Sequence, residues 1–152
     1  MILVTTGTQF FDGLVAEVDR LAGRGVLRGR VVAQIGRSGY RARFIETFAF
    51  DRGLKDMMRQ SELVISHGGT GTVCELIELG VPFIAVVNGT KADNHQLEFL
   101  EDLHGVYDFC WAGSENKLEE QIPLARPARR RGENTLMRLA HAVAAELIPP
   151  AP

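Results

Sequence analysis

The apolar run Leu63-Val64-Ile65 leads straight into Ser66-His67-Gly68-Gly69-Thr70-Gly71-Thr72-Val73-Cys74-Glu75, and this junction constrains the fold more than any other feature. A short run of aliphatic, mostly β-branched residues reads as a buried strand. The glycines end it, and Val73, Leu76 and Ile77 then recur at helical spacing, so a helix is expected over Thr70–Leu79. A strand that turns at once into a helix belongs to a βα unit, and such units build parallel sheets.

The same alternation fills the chain. Ile2–Thr5 is a strand, followed by a helix over 10–23 in which Phe11, Leu14, Val15, Val18 and Leu21 share a face. Strands follow at Val31–Ile35 and over 44–50, then a helix at Leu54–Gln60. Beyond the glycine turn, Gly80-Val81-Pro82 leads into a strand at Phe83–Val87, then a helix at His95–Leu103 and a last strand at Val106–Trp111. A short helix over 115–122 and a longer one over 133–148 close the chain; Leu136, Leu139, Ala140, Val143 and Leu147 line one face of the latter. The expected fold is α/β, a doubly wound, Rossmann-like parallel sheet with helices on both faces. One domain over 1–148 and a tail over 149–152 are expected, since 152 residues suit a single core.

Composition narrows the function. A net charge of −2 gives no reason to expect nucleic acid. Cys74 and Cys110 lack metal-ligand spacing, and their placement in a helix and at a strand end does not suggest a disulfide. No run reaches the ~18–20 apolar residues of a membrane span, and the start lacks the basic region of a signal peptide. A cytoplasmic location is expected.

In doubly wound sheets ligands bind beyond the carboxyl ends of the strands. The turns at Gly7, Gly36 and Gly68-Gly69 and the loop from Asn88 to Asn94 all follow strands, so they should meet at one crevice. Gly68, Gly69 and Gly71 allow close approach of backbone amides to an anion at a helix N-terminus, and Thr70 and Thr72 add hydroxyls that could also cap the helix. The alternative is a tight turn that needs glycine for its own geometry. No Gly-Lys-Ser/Thr tripeptide marks a Walker loop, and Cys74 breaks a dinucleotide fingerprint, so nicotinamide and flavin cofactors are disfavoured. Glu75 lies opposite Val73, Leu76 and Ile77 and can look toward the ligand with Thr72. A carboxylate there accepts two hydrogen bonds from a ribose diol, and its alternative is a solvated glutamate. Asp93-Asn94-His95-Gln96 offers an acid, two amides and an imidazole at a helix start, groups that suit sugar hydroxyls or serve as an ordinary N-cap. His67 either bonds a phosphate or packs at the strand end. The run Arg126, Arg129, Arg130 and Arg131 is a solvated face or one that favours an anionic surface.

Together, Val4-Thr5-Thr6-Gly7-Thr8, Ser66 to Thr72 with Glu75, Gly80-Val81-Pro82 and Asp93-Asn94-His95-Gln96-Leu97-Glu98 resemble the donor-binding half of GT-B glycosyltransferases of the lipid-linked type, the glycosyltransferase family 28 C-terminal domain. The resemblance runs from residue 2 to about 148 and is strongest to the small subunits of split enzymes. One set of these acts in dolichol-linked glycan synthesis and another in bacterial exopolysaccharide synthesis. It implies half of a GT-B fold and a UDP-sugar donor, with no cofactor and no metal. Gly68, Gly69, Thr70, Gly71 and Thr72 would hold the diphosphate, Glu75 the ribose, and Asp93, Asn94 and Gln96 the sugar. The loop at Phe50 and Asp51 would meet uracil, and Gly7, Thr8, the Gly36–Ser38 loop and His67 would line the cleft.

The resemblance also implies a two-subunit enzyme. Its partner would be membrane-associated, would bind a polyprenyl-linked acceptor and would supply the general base, so no catalytic base is assigned to this chain. The chain would then sit at the inner membrane through that partner, docked by the helix over 133–148, unless that helix packs on its own domain. The sugar would be N-acetylglucosamine or glucuronic acid, with Arg37 or Lys91 the cation for an acidic one. A non-catalytic UDP-sugar-binding module is the alternative. Half of a sugar-nucleotide epimerase is a weaker one, because no pair of catalytic acids is evident.

Overall fold

A computed structural model describes residues 1–90 and 94–132. The helix expected over 133–148, together with Lys91 and Asp93, lies outside the described residues.

Six parallel strands form one sheet: β1 (Ile2–Thr5), β2 (Val31–Gln34), β3 (Glu46–Phe48), β4 (Leu63–His67), β5 (Phe83–Val86) and, after a two-residue β6 (Tyr107–Asp108), β7 (Cys110–Ala112). Their order across the sheet is β3-β2-β1-β4-β5-β7. The chain starts in the middle, winds outward through β2 and β3, then returns to β4 and winds the other way. The reversal falls between β1 and β4, and a crevice opens there at the carboxyl ends. β1 and β4 are buried throughout, as strands covered on both faces must be.

Helices cover both faces. α1 (Asp12–Gly23) buries Leu14, Val15, Val18 and Leu21 against one face, joined by Leu118 of the short α5 (Leu118–Gln121). On the other face lie α2 (Leu54–Gln60), α3 (Thr70–Leu79) and α4 (His95–Val106), with Met58, Val73, Leu76 and Leu100 packed on Leu3, Val64, Phe83 and Ala85. α3 ends where Gly80 takes φ 65°, the left-handed conformation that closes helices cheaply only at glycine.

Several boundaries differ from the sequence reading. The helix expected from residue 10 starts at Asp12, because Phe11 caps it and is buried in the core. The strand expected over 44–50 shrinks to Glu46–Phe48, since β3 is an edge strand held on one side only, and Phe44 and Phe50 stand exposed beyond its ends. The run Val106–Trp111 is not one strand. α4 keeps Val106, Tyr107–Asp108 leave the main sheet to pair antiparallel with β8 (Arg129–Arg130), and only Cys110–Ala112 join β5. The helix expected over 115–122 is two 3-10 turns, Glu115–Lys117 and Ile122–Leu124, flanking α5.

The arginine run splits as well. Arg126 donates to Asp108 at 2.9 Å and to the Leu124 carbonyl, which holds the Asp108 carboxyl below its ordinary range. Arg131 donates to the His104 carbonyl. Two of the four arginines thus lock the β6–β8 corner, and Arg129 and Arg130 are exposed.

Asp19 is the buried acid that the helical stripe of α1 conceals. Its carboxylate accepts hydrogen bonds from the Arg43 and Phe44 amides and the Tyr40 hydroxyl. This pins the loop between β2 and β3 along α1. Asp19→Asn keeps the shape and loses one acceptor and the charge, so it is expected to cost about 1.5 kcal/mol. Urea unfolding monitored by circular dichroism measures the loss.

Candidate functional site

The crevice is built at the ends of β1, β2 and β4. After β1, Gly7 takes φ 61° and its amide donates to Thr5 Oγ1, while Thr5 Oγ1 donates to Gln34 Oε1 at 2.7 Å and ties β1 to β2. After β2, Gly36 takes φ 60°, and a Cβ placed on it would stand 3.3 Å from the Phe50 ring and 4.0 Å from the Gly7 carbonyl. The His67 imidazole, buried at the end of β4, lies between Gly7 and Gly69. A Cβ on Gly7 would come within 2.5 Å of its Cε1, and a Cβ on Gly69 would also collide with the ring. Gly7 and Gly69 are therefore required by close approach to the His67 ring and Gly36 by its left-handed φ, and the three turns meet at one place.

Gly69 is the N-cap of α3, in extended conformation, and the first helical bond runs from the Val73 amide to the Gly69 carbonyl at 3.0 Å. The amides of Thr70, Gly71 and Thr72 therefore point out of the helix end, as the first amides of any helix do. No side chain caps this end, so neither Thr70 nor Thr72 serves as the cap that the sequence allowed. No acid lies in the first turn, which leaves the positive end of the helix dipole uncompensated. A Cβ on Gly71 would meet nothing within 4 Å, so this turn faces open space.

Gly68 has a different place. Its amide donates to the Val86 carbonyl at 2.7 Å and extends the β4–β5 ladder. A side chain there would stand 3.0 Å from Leu100 and 3.3 Å from Gln96. Gly68 lets α4 close onto the sheet, and its amide is spent on the ladder.

Glu75, one turn into α3, is half-buried and pairs with Lys55 of α2 at 3.3 Å. Val73 and Leu76 are fully buried on the opposite face and Ile77 packs partly against the same core. Gln96 bridges two loops: its Oε1 accepts from the Asn88 amide at 2.9 Å and its Nε2 donates to Gln9 Oε1 at 3.1 Å. One donor hydrogen and one lone pair remain to it. Asn94 occupies the N-cap position of α4 without a side-chain cap bond and is exposed. Asp93 lies outside the described residues.

Thr8, Gln9, Phe10, Arg37 and Phe50 line a cavity of about 310 Å³ at the crevice mouth. Ser38 donates to Asp12 and accepts from the Tyr40 amide, so it braces the loop beside this cavity. Asp51 accepts from the Gly53 amide and shapes the turn into α2.

Sequence reasoning missed Gln9, and it placed Asn88 in a crevice loop without giving it a role. Asn88 is buried, donates to the Phe10 carbonyl and accepts from Thr90, which fixes the exits of β1 and β5 together. Its place directly after an apolar strand was the available signal.

The sequence model of the "Glycosyltransferase family 28 C-terminal domain" matches residues 1–145. The chain belongs to this family. Human "UDP-N-acetylglucosamine transferase subunit ALG13" is 31% identical over 116 residues, covering 68% of this chain and 10% of that protein. The protein of the same name from Yarrowia lipolytica is 35% identical over 120 residues, covering 68% of this chain and 60% of its own length. This family 28 domain therefore spans about a tenth of the human relative and less than two thirds of the yeast one. Among solved structures, the solution structure of ALG13 superposes with a TM-score of 0.56 at 23% identity, covering 91% of this chain and 93% of that one. The glycosyltransferase SnogD from Streptomyces nogalater gives 0.50 at 18% identity over 81% of this chain and 35% of its own. These likenesses agree with the family 28 domain as one doubly wound half of a GT-B fold.

Proposed function

We propose that this family 28 domain is the donor-binding subunit of a UDP-sugar-dependent glycosyltransferase that acts with a second subunit. The observation that carries this reading is the uncapped N-terminus of α3 opening on the crevice, with Glu75 one turn behind it. The Thr70, Gly71 and Thr72 amides would receive the diphosphate, and the helix dipole would stabilise the negative charge that grows on it as the glycosidic bond breaks. Glu75 would accept both ribose hydroxyls, with Lys55 fixing its rotamer. Asn94, Asp93 and the free half of the Gln96 amide would meet the sugar.

The donor is proposed to be UDP-N-acetylglucosamine, the sugar nucleotide in the names of the relatives. Gln96 and Asn94 are neutral amide side chains, which suit an uncharged sugar better than a carboxylate. The acceptor is proposed to be polyprenyl-linked and held by a membrane-associated subunit that also brings the general base, in glycolipid or exopolysaccharide synthesis. The chain would then sit at the cytoplasmic face of the membrane through that partner.

Co-expression with a candidate membrane subunit, followed by a transfer assay with UDP-N-acetylglucosamine and a short polyprenyl diphosphate-linked acceptor, tests the reading. Transfer by the pair and none by either chain alone is expected. Transfer by this chain alone contradicts the need for a partner, and UDP binding without transfer by any pair favours a non-catalytic donor-binding module.

A further inference from the structure

We propose that the loop between β2 and β3 is itself a membrane-contact surface, a strip of arginines and phenylalanines along α1 that lays the crevice mouth against an anionic bilayer. This goes beyond the donor reading and does not depend on it.

Of the four large hydrophobic side chains that stand exposed among the described residues, three are phenylalanines around this loop: Phe10 and Phe44, each 63% exposed, and Phe50, 56% exposed. Singly exposed apolar residues are ordinary, but three large rings beside one loop are not. Arg37, Arg41 and Arg43 stand between them, all exposed, and none forms an ion pair among the described residues. Some surface arginines are paired, Arg20 and Arg24 with Glu119 and Arg30 with Glu46, while Arg28, Arg52, Arg129 and Arg130 are exposed without an ion pair among the described residues. The loop differs in bringing three unpaired arginines and exposed rings together.

The strip is held in shape. Ser38 bonds Asp12 in the first turn of α1, Asp19 takes the Tyr40 hydroxyl and the Arg43 and Phe44 amides, and the Phe44 ring packs beside Gly23 at the last residue. The loop therefore runs the length of α1, about 18 Å at 1.5 Å per residue. The acids of α1 are engaged: Asp12 with Ser38, Glu17 with Arg20, and Asp19 with the loop. Glu46, at the far end, is held by two bonds from Arg30. Three unpaired arginines and three rings outweigh the exposed carboxylates of Asp12 and Asp51 beside the strip, so what it shows outward is mainly cationic and aromatic. Guanidinium groups facing phosphates, with rings at the depth of the headgroups, are what bind a protein to an anionic membrane surface. Phe10, Arg37 and Phe50 also line the crevice cavity, so such contact would open the site toward the plane in which lipid-linked molecules lie.

Vesicle flotation of the full chain, without nucleotide, tests this. Vesicles of phosphatidylcholine mixed with phosphatidylglycerol should carry the protein, vesicles of phosphatidylcholine alone should not, and raised salt should release it. Arg41→Glu with Arg43→Glu should weaken binding to the anionic vesicles about twentyfold or more, taking roughly a fivefold loss for each arginine removed. Phe44→Ser should weaken it further. Neither change touches the crevice, so the affinity for UDP serves as the control for folding. Equal flotation with both vesicle types, binding that survives the double arginine variant, or capture of the strip by an acidic protein with no vesicle binding would each overturn the proposal.

Discussion

Glu75→Ala is expected to weaken UDP binding about a hundredfold while leaving the fold intact. A carboxylate that accepts two hydroxyls makes two charge-assisted hydrogen bonds, each worth about 1.5–3 kcal/mol. Part of that is offset, because the free protein already satisfies Glu75 with Lys55 at 3.3 Å. That ion pair is partly exposed and contributes little to stability. A net loss near 2.8 kcal/mol corresponds to the hundredfold drop. Deoxyribose separates this role from a general electrostatic one. The 2′-deoxy nucleotide should bind the native protein more weakly than UDP, and the Glu75→Ala variant should bind both alike. If the variant still prefers the ribonucleotide, Glu75 does not read the diol.

Gly69→Ala is expected to damage both the fold and the site. The residue sits at φ −71°, so alanine meets no backbone strain there. The obstacle is the His67 ring, into which the new methyl would collide, and on the other side of that ring lies Gly7. Overpacking of this kind costs about 1–3 kcal/mol, which lowers the melting temperature by roughly 5 °C for a domain of this size. Moving the ring also shifts the start of α3, so UDP affinity should fall about tenfold or more through misplacement of the anion-binding amides. The double variant Gly69→Ala with His67→Ala removes the collision and should recover most of the lost melting temperature. Failure to recover would place the cost of Gly69→Ala elsewhere than in this collision. Gly68→Ala meets Leu100 and Gln96 instead, so its effect should not respond to His67→Ala.

The parts of this molecule that were legible in the sequence are those governed by local pattern. β1, β2, β4 and β5 are short aliphatic runs ended by a glycine, a polar turn or Asn88, and their alternation with helices gives the parallel sheet, whereas the order of the strands across it is read only from the structure. The glycine turn and the position of Glu75 relative to it are local too, since three to four residues make one helical turn. What escaped depends on partners far away in the chain. Asp19 reads as one more polar residue until the loop at residues 40–44 folds over it. Gln96 was expected to face a sugar, and half of its amide is taken by Asn88 and Gln9, the latter 87 residues away in sequence. Gly68 looked like one of the anion-binding glycines, and β5 takes its amide. The arginine run at 126–131 reads as a single charged tract, whereas Asp108 and the His104 carbonyl sort it into two structural and two exposed members. The run Val106–Trp111 splits because Phe109 turns into the core between two pairs of residues that bond to different neighbours.

The site follows from this architecture rather than from any single motif. The strand order places the exits of β1, β2 and β4 side by side. Glycine at positions 7, 36 and 69 allows their turns to close on His67 and Phe50 without a side chain between them. An uncapped helix then ends at the same place, with no acid in its first turn. Anion binding is the chemistry that such an end performs. Family 28 membership supplies the reason to expect that the anion is the diphosphate of a nucleotide sugar.

Isothermal titration of the purified full chain with UDP measures the central claim most directly. Saturable binding at one site per chain is expected, weakened by Glu75→Ala and by Gly69→Ala and unchanged by Arg41→Glu. The absence of any heat or competition signal for UDP, with the chain alone and with the chain assembled on the proposed membrane subunit, would contradict the assignment of the α3 crevice as a nucleotide site.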